Sequence, residues 1–279
     1  MQVHLVTVVG SDLRVFPFML EHYARLGITS FRVNVHLRTE DDPALEFARA
    51  ATRRVGCSVE RVMVGQTFLH LKREVCDELA ARQPDDWFVF ADHDELQVYP
   101  EDLFHVLEYC DRKGFDYVRG CFLDRLGPGG VLPPVDPHAP IWDQFPLGAF
   151  VTYPISRGDP RKIVAAKGKV MLMGTGNHTA RRGQACPIRD YFIQVHHFKW
   201  VAGLDETLRQ RIQILRSIGD PVWIESRRFL EYFETHGGRI DVRDPRFHAW
   251  PCTPEYRYWD TVRETVIHLE SLESAAGGA

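Results

Sequence analysis

The sequence predicts an α/β fold: a nucleotide-binding βαβ half on a mainly parallel sheet, then a mixed α/β half. Three observations carry this. Short apolar runs alternate with segments of helical period up to about Tyr109. The most apolar run, Trp87-Phe-Val-Phe-Ala91, leads straight into Asp92-His93-Asp94-Glu95. After Phe115 the alternation gives way to prolines, glycines and short β-like pieces.

His4 to Val9 is an apolar run closed by Gly10-Ser11-Asp12 and reads as a buried strand. Between Arg14 and Arg25 the residues Phe18, Met19, His22, Tyr23 and Leu26 recur at helical spacing, and Gly27 supplies a stop. Phe31 to Leu37 is strand-like, and Pro43 to Val55 helical, with Gly56 beyond its end. Cys57 to Val64 repeats the strand pattern, Phe68 to Arg82 the helical one, and Trp87 to Ala91 follows as a strand. Such alternation implies right-handed crossovers and a parallel sheet, with ligands outside the carboxyl ends of its strands.

Phe115 to Leu123 reads as a further strand. Residues 126–146 hold six prolines and three glycines, a long irregular segment suited to a lid. Ala149 to Ile155, Lys162 to Ala165, Lys169 to Met173 and Tyr191 to Phe198 are short strand candidates. Helical patterns return at Asp205 to Ile218, Val222 to Thr235 and Glu255 to Leu272. With no repeat and no linker, the expectation is one domain over 1–279. Its parts are a nucleotide-binding half (1–113), a metal and acceptor half (114–200), C-terminal helices (201–272) and a frayed tail (273–279).

Composition narrows the function classes. The chain is 44 % hydrophobic and 26 % charged, which excludes wholesale disorder. Its formal net charge of −4 gives no global field for nucleic acid. No run approaches the ~20 apolar residues of a membrane span. The start, MQVHLVTVVGSD, lacks the basic and apolar regions of a signal peptide, so a cytoplasmic location is expected. Six scattered cysteines, none in a C-x-x-C pair, read as buried thiols.

Asp92, Asp94 and Glu95 place three carboxylates within four positions. They repel one another unless a cation or hydrogen-bond donors compensate. Hard oxygen ligands at a strand end suit Mg²⁺ or Mn²⁺, although a solvated acidic turn has the same composition. On an extended strand end His93 would point away from Asp92 and Asp94. His196 and His197 would likewise diverge. The basic stretch Lys162, Lys167, Lys169, Arg181 and Arg182 reads mostly as solvated charge, with Lys169 or Lys199 able to stabilise a leaving diphosphate. Gly174-Thr-Gly-Asn-His178 reads equally as a phosphate-approaching loop or a hairpin turn.

Trp87-Phe-Val-Phe-Ala-Asp-His-Asp-Glu-Leu96 resembles the strand and D-x-D-E motif of metal-dependent GT-A glycosyltransferases, closest to the family-2-like group. Phe18-Met-Leu-Glu-His-Tyr-Ala-Arg-Leu-Gly-Ile-Thr-Ser-Phe31 resembles that group's first helix and second strand. Lys169 to His178 and Val195-His-His-Phe-Lys199 resemble its later segments in the same order, so the likeness spans residues 3–200. The resemblance implies a GT-A fold and a nucleotide-sugar donor, UDP- or GDP-linked. It implies Asp94 as ligand of Mn²⁺ or Mg²⁺, Asp92 at the ribose or sharing the metal, and His197 as a distant metal ligand. Lys72 or Arg73 would meet the donor. Two departures stand out: Gly10-Ser11-Asp12 replaces the usual Asn-Glu pair, leaving Asp12 to accept a hydrogen bond from uracil or ribose, and Leu96 replaces Phe.

Sugar transfer with inversion needs a carboxylate to deprotonate the acceptor hydroxyl. Asp143 ranks first, with Asp124 and Asp136 also past the D-x-D strand; Trp142 reads as a core residue or as a ring that stacks on a sugar. The expected enzyme is a hexosyltransferase-type glycosyltransferase acting on a small-molecule or glycan acceptor. A nucleotidyltransferase and a non-catalytic carbohydrate-binding protein of the same fold are the alternatives.

Overall fold

Residues 1–10, 12–65, 69–170, 172–173, 177–180, 182–252, 260, 263–268 and 271 are described by a computed structural model. The tail 273–279, Arg181, Gly174 to Gly176 and most of the expected helix 255–272 lie outside the described residues.

The alternation appears as β1 (Val3–Val9), α1 (Phe16–Arg25), β2 (Ser30–Leu37), α2 (Ala44–Arg54), β3 (Val59–Val64), α3 (Leu69–Arg82) and β4 (Trp87–Phe90). β5 (Glu95–Val98), α4 (Leu103–Lys113) and β6 (Tyr117–Leu126) follow. Next come α5 (Ile141–Gln144), β7 (Leu147–Ala149), α6 (Thr152–Ser156), β8 (Arg161–Lys167), β9 (Leu172–Met173) and β10 (Thr179–Ala180). β11 (Ile193–His197), α7 (Leu204–Ser217), α8 (Trp223–Thr235) and β12 (Trp250–Pro251) complete the described elements. The fold class is mixed α/β, and no helix among the described residues is long and apolar enough to cross a membrane.

The first half matches the expected elements closely; the middle departs from them. The expected strand Ala149 to Ile155 is β7 followed by α6. The cause is Asp124, whose carboxylate accepts the Val151 and Thr152 amides at 2.8 Å each and caps the short helix. The expected strand Lys169 to Met173 begins instead with a 3-10 turn at Gly168–Val170. Sequence reading assigns nothing between Leu96 and Phe115, yet α4 carries both end signals. The Asp102 carboxylate accepts the Phe104 amide at 2.8 Å, and Gly114 closes the helix at φ 76°.

Two compact units share the chain. The first comprises Met1–Cys121, Arg161–Val195 and Arg257–Ala279; the second, Phe122–Pro160 and His196–Tyr256. In the first, four parallel strands lie in the order β4-β1-β2-β3, with His4 facing Ser30 and Val3 facing Trp87 in register. β8 adds antiparallel to β4 and pairs on its other edge with the start of β6. Leu71, Val75 and Leu79 of α3 pack on Val6, Phe88 and Phe90 as the core of one sheet face. In the second unit the end of β6 pairs antiparallel with β7, and β7 with β12. Trp200 is buried there, edge-on to Phe229 and Phe233 of α8.

α1 fixes the strand that follows the acidic turn. Pro17 is tolerated in its first turn, and Gly27 ends it where a Cβ would stand 2.9 Å from the Phe104 ring. Tyr23 donates to the Glu95 carbonyl and accepts from the Gln97 amide, both at 3.2 Å. His22 Nε2 donates to the Gln97 carbonyl at 2.7 Å. Gln97 in turn donates to the Phe90 carbonyl at 2.7 Å, joining the ends of β4 and β5.

Burial pushes the His22 imidazole down to about 4, against the opposing pull of the Gln97 carbonyl. The unfolded chain binds this proton near 6.5 and the folded protein does not until about 4. Stability is therefore complete above 6.5 and falls as pH drops through that window, by up to about 3 kcal/mol. Urea unfolding of wild type and His22→Gln at several pH values checks this. Wild type should lose more stability than the variant on acidification; parallel losses would contradict it.

Candidate functional site

β4 is buried along its whole length. The chain then turns at Asp92 and re-enters the sheet as β5. Within the turn the Asp92 amide donates to Glu95 Oε2 and the Glu95 amide to the Asp92 carbonyl, each at 3.1 Å. Glu95 is 2 % exposed. An ionised carboxylate so placed needs a partner, and Lys162 of β8 supplies it. Its equally buried ammonium bonds Glu95 Oε1 and reaches Asp92 Oδ2 at 3.0 Å. Lys72 of α3 donates to Asp92 Oδ1, also at 3.0 Å.

Burial alone would raise the Asp92 carboxyl. The Lys162 and Lys72 charges outweigh burial and hold it well below its ordinary value. Burial likewise works against the Lys162 charge, and Asp92 and Glu95 reverse it, raising the ammonium above its usual range. The Asp92–Lys162 pair therefore stays ionised at neutral pH. Two sequence expectations change here. Lys162 is not a solvated charge, because the pairing of β8 turns it inward; Lys169, paired with Asp116 at 3.1 Å, is half-exposed as expected. His93 does not point away from Asp94, because residues 93–94 form a turn and not an extended end. Its Nε2 lies 4.0 Å from Asp94 Oδ2.

The residues expected at the donor occupy different settings. Asp12 follows β1 and faces the Arg14 guanidinium, with Nη2 2.7 Å from Oδ2. Burial opposes its charge, and Arg14, with a smaller contribution from His93, holds its carboxyl below the ordinary value. Lys72 is buried at Asp92; nothing is described of the Arg73 side chain. A narrow cleft of about 10 Å³, room for one water, opens beside the Lys72–Asp92 pair. Its apolar walls include Val6 and Val8 of β1, Val75 of α3 and Phe90 of β4, and Asn177 also lines it.

A divalent cation needs carboxylate oxygens. Asp92 does not fit as its ligand, since ammonium groups already hold both oxygens. Asp94 is the aspartate of the motif whose fit does not require displacing Lys72 and Lys162.

His197 and the other acceptor-side candidates belong to the second unit. His197 Nδ1 donates to Asp124 Oδ1 at 3.0 Å, and its ring stacks on Phe122 at 4.3 Å. That bond orients the imidazole ring, as the carboxylate partner of a ligating histidine does. His196 goes elsewhere, 3.5 Å from Arg125 and edge-on to Trp142, so the two histidines do diverge. Asp124 also accepts from Thr152 Oγ1 at 2.9 Å and Trp200 Nε1 at 3.0 Å. With the two helix amides that makes five donors on one buried carboxylate. Burial opposes its charge, and His197 leads the groups that hold it below its ordinary value. Such a carboxylate anchors structure and has no lone pair open to an acceptor hydroxyl.

Asp143 is exposed on α5. Trp142 beside it is half-buried and packs edge-on against Phe198 at 5.2 Å. Asp136 caps a turn by accepting the His138 amide at 2.8 Å. Lys199 lies over the Phe229 ring at 4.3 Å. The 126–146 segment is pinned: Gln144 brackets Asp136, and Ala202 donates to the Pro133 carbonyl at 2.9 Å.

No protein-family model matches the chain, and no curated protein does. Among solved structures it is similar to residues 1–349 of S. aureus TarS. Identity is 11 %, the TM-score 0.39, and coverage 88 % of this chain and 76 % of that one. The same TarS segment in complex with UDP-GlcNAc gives 13 %, 0.40, 85 % and 75 %. A protein described as a glucose-1-phosphate thymidylyltransferase from Bacillus anthracis gives 11 %, 0.30, 76 % and 74 %. Scores this low fix neither family nor activity.

Lys162→Met leaves Asp92 and Glu95 without their shared ammonium and should cost about 3–5 kcal/mol in urea unfolding. Adding Glu95→Gln should recover part of it. A single-variant loss below about 1 kcal/mol would contradict the buried network.

Proposed function

We propose that the protein is a glycosyltransferase of the hexosyl-transferring type, using a nucleotide-diphosphate sugar, UDP- or GDP-linked. The observation that supports this best is the cleft at the carboxyl ends of β1 and β4, with Lys72 and Asp92 on its wall. That is where open α/β sheets receive nucleotides, and the D-x-D-E resemblance of the same segment points the same way.

In this reading Lys72 turns part of its hydrogen bonding from Asp92 to the donor diphosphate as negative charge grows on the leaving group. Lys162 keeps Asp92 and Glu95 fixed during that exchange, so the turn does not reorganise. The Asp12–Arg14 pair presents a carboxylate oxygen and a guanidinium beside the end of β1, suited to ribose hydroxyls. Asp94 would hold a Mn²⁺ or Mg²⁺ ion, which would supply Lewis-acid stabilisation of diphosphate charge. By the same resemblance His197, oriented by Asp124, is proposed as an imidazole metal ligand. Because Asp124 is saturated, the base role falls to Asp143, acting on a hydroxyl of a small-molecule or glycan acceptor in the cytoplasm. Lys199 has a proposed part in holding the diphosphate.

Thermal unfolding with UDP and GDP, each with Mn²⁺ and with EDTA, tests the reading. A ligand at ~100 times its Kd adds about 2.7 kcal/mol, a rise of several degrees. One nucleotide should raise the midpoint in wild type, less so in Lys72→Met and in Asp94→Asn. No rise with either nucleotide, with or without metal, would sink it.

A further inference from the structure

Cys110 and Cys186 meet in the first unit although they are distant in sequence. Cys110 sits in the last turn of α4, and Cys186 in the irregular segment between β10 and β11. Backbone pairing brings the two stretches together. The Asp116 amide donates to the Gln184 carbonyl at 2.7 Å, and the Cys186 amide to the Tyr117 carbonyl at 2.8 Å. Cys110 is tied to the same stretch, its carbonyl accepting the Phe115 amide at 2.9 Å. Beyond Cys186, Tyr109 donates to Asp190 Oδ2 at 2.9 Å and stands edge-on to the Tyr191 ring at 5.0 Å. Both cysteines are wholly buried, and their thiols are hydrogen-bonded to each other. That bond raises the Cys110 thiol, its donor, and lowers the Cys186 thiol, its acceptor.

A single buried thiol packs as a small hydrophobe. Two thiols in contact can also join, provided that an oxidant reaches one of them. The 182–191 segment offers the access. Arg182, Gly183, Gln184, Arg189 and Asp190 are exposed, so the segment runs over the surface with Cys186 turned inward. Local opening of such a segment costs less than global unfolding, and it uncovers Cys186.

We propose that Cys110 and Cys186 form a reversible disulfide that ties α4 to the 182–191 segment, with a small-molecule disulfide of the glutathione class as oxidant. The Cys186 thiolate attacks one sulfur of oxidised glutathione, and the first glutathione thiolate leaves. When the segment closes, Cys110 gives up its proton and attacks the Cys186 sulfur of the mixed disulfide, releasing the second glutathione. Two electrons pass from the protein to the glutathione disulfide, and the two thiol protons end on the departing glutathiones. The cross-link also braces the strands around the acidic turn. Asp111, next to Cys110, accepts from Trp87 Nε1 of β4 at 3.1 Å and from Lys167 Nζ of β8 at 2.7 Å.

Equilibration of the full chain with oxidised glutathione, then alkylation in denaturant and peptide mass spectrometry, tests this. A linked Cys110–Cys186 peptide should appear, two hydrogen atoms lighter than the reduced pair. The oxidised protein should melt several degrees higher than the reduced one, and dithiothreitol should reverse both changes. Cys110→Ala and Cys186→Ala should each abolish the rise. Recovery of both cysteines alkylated, of either one only as a glutathione adduct, or of either one linked to another cysteine, would overturn the proposal. So would a linked pair that leaves the midpoint unchanged or lowers it, or a rise that persists in either variant.

Discussion

The Lys162 ammonium is the constraint around which the first unit is organised. Three carboxylates within four positions cannot share a turn unless positive charge is built in with them. Lys162 satisfies Asp92 and Glu95 from the side of β8, and Lys72 satisfies Asp92 from α3. The acidic turn is thereby fixed to two elements distant in sequence. α1 completes the frame through His22 and Tyr23, which hold the backbone of Gln97 and Glu95. Of the two lysines that neutralise the turn, Lys72 also lines the cleft beside it.

The second unit rests on the inverse device, one carboxylate satisfied by many donors. Asp124 links the end of β6 to the start of α6, to His197 and to Trp200. Its cost of burial is offset by hydrogen bonds and not by a fixed cation. The consequence for chemistry is that Asp124 orients His197 and does not act as a base.

The alternation of the first half was legible because local period and chain punctuation agree there. Trp87 to Ala91 could hardly be anything but a buried strand, and the acidic turn after it follows from composition alone. What escaped depends on long-range partners. Lys162 looks like any surface lysine until β8 is paired with β4 and β6. α6 starts within the Val151-Thr152-Tyr153 run, which has strand propensity, and becomes helical because Asp124, distant in sequence, caps it. The direction of His93 was misjudged because period-2 counting does not apply within a turn. The Asp102 and Gly114 signals for α4 were present and local, and needed only to be read.

The central claim is that the Lys72–Asp92 wall is where a nucleotide binds. Amide hydrogen exchange on the full chain, with and without UDP and Mn²⁺, tests it most directly. Slowed exchange in α3 and across residues 91–95 is the predicted result. Unchanged exchange there, or protection confined to α7 and α8, would contradict the account.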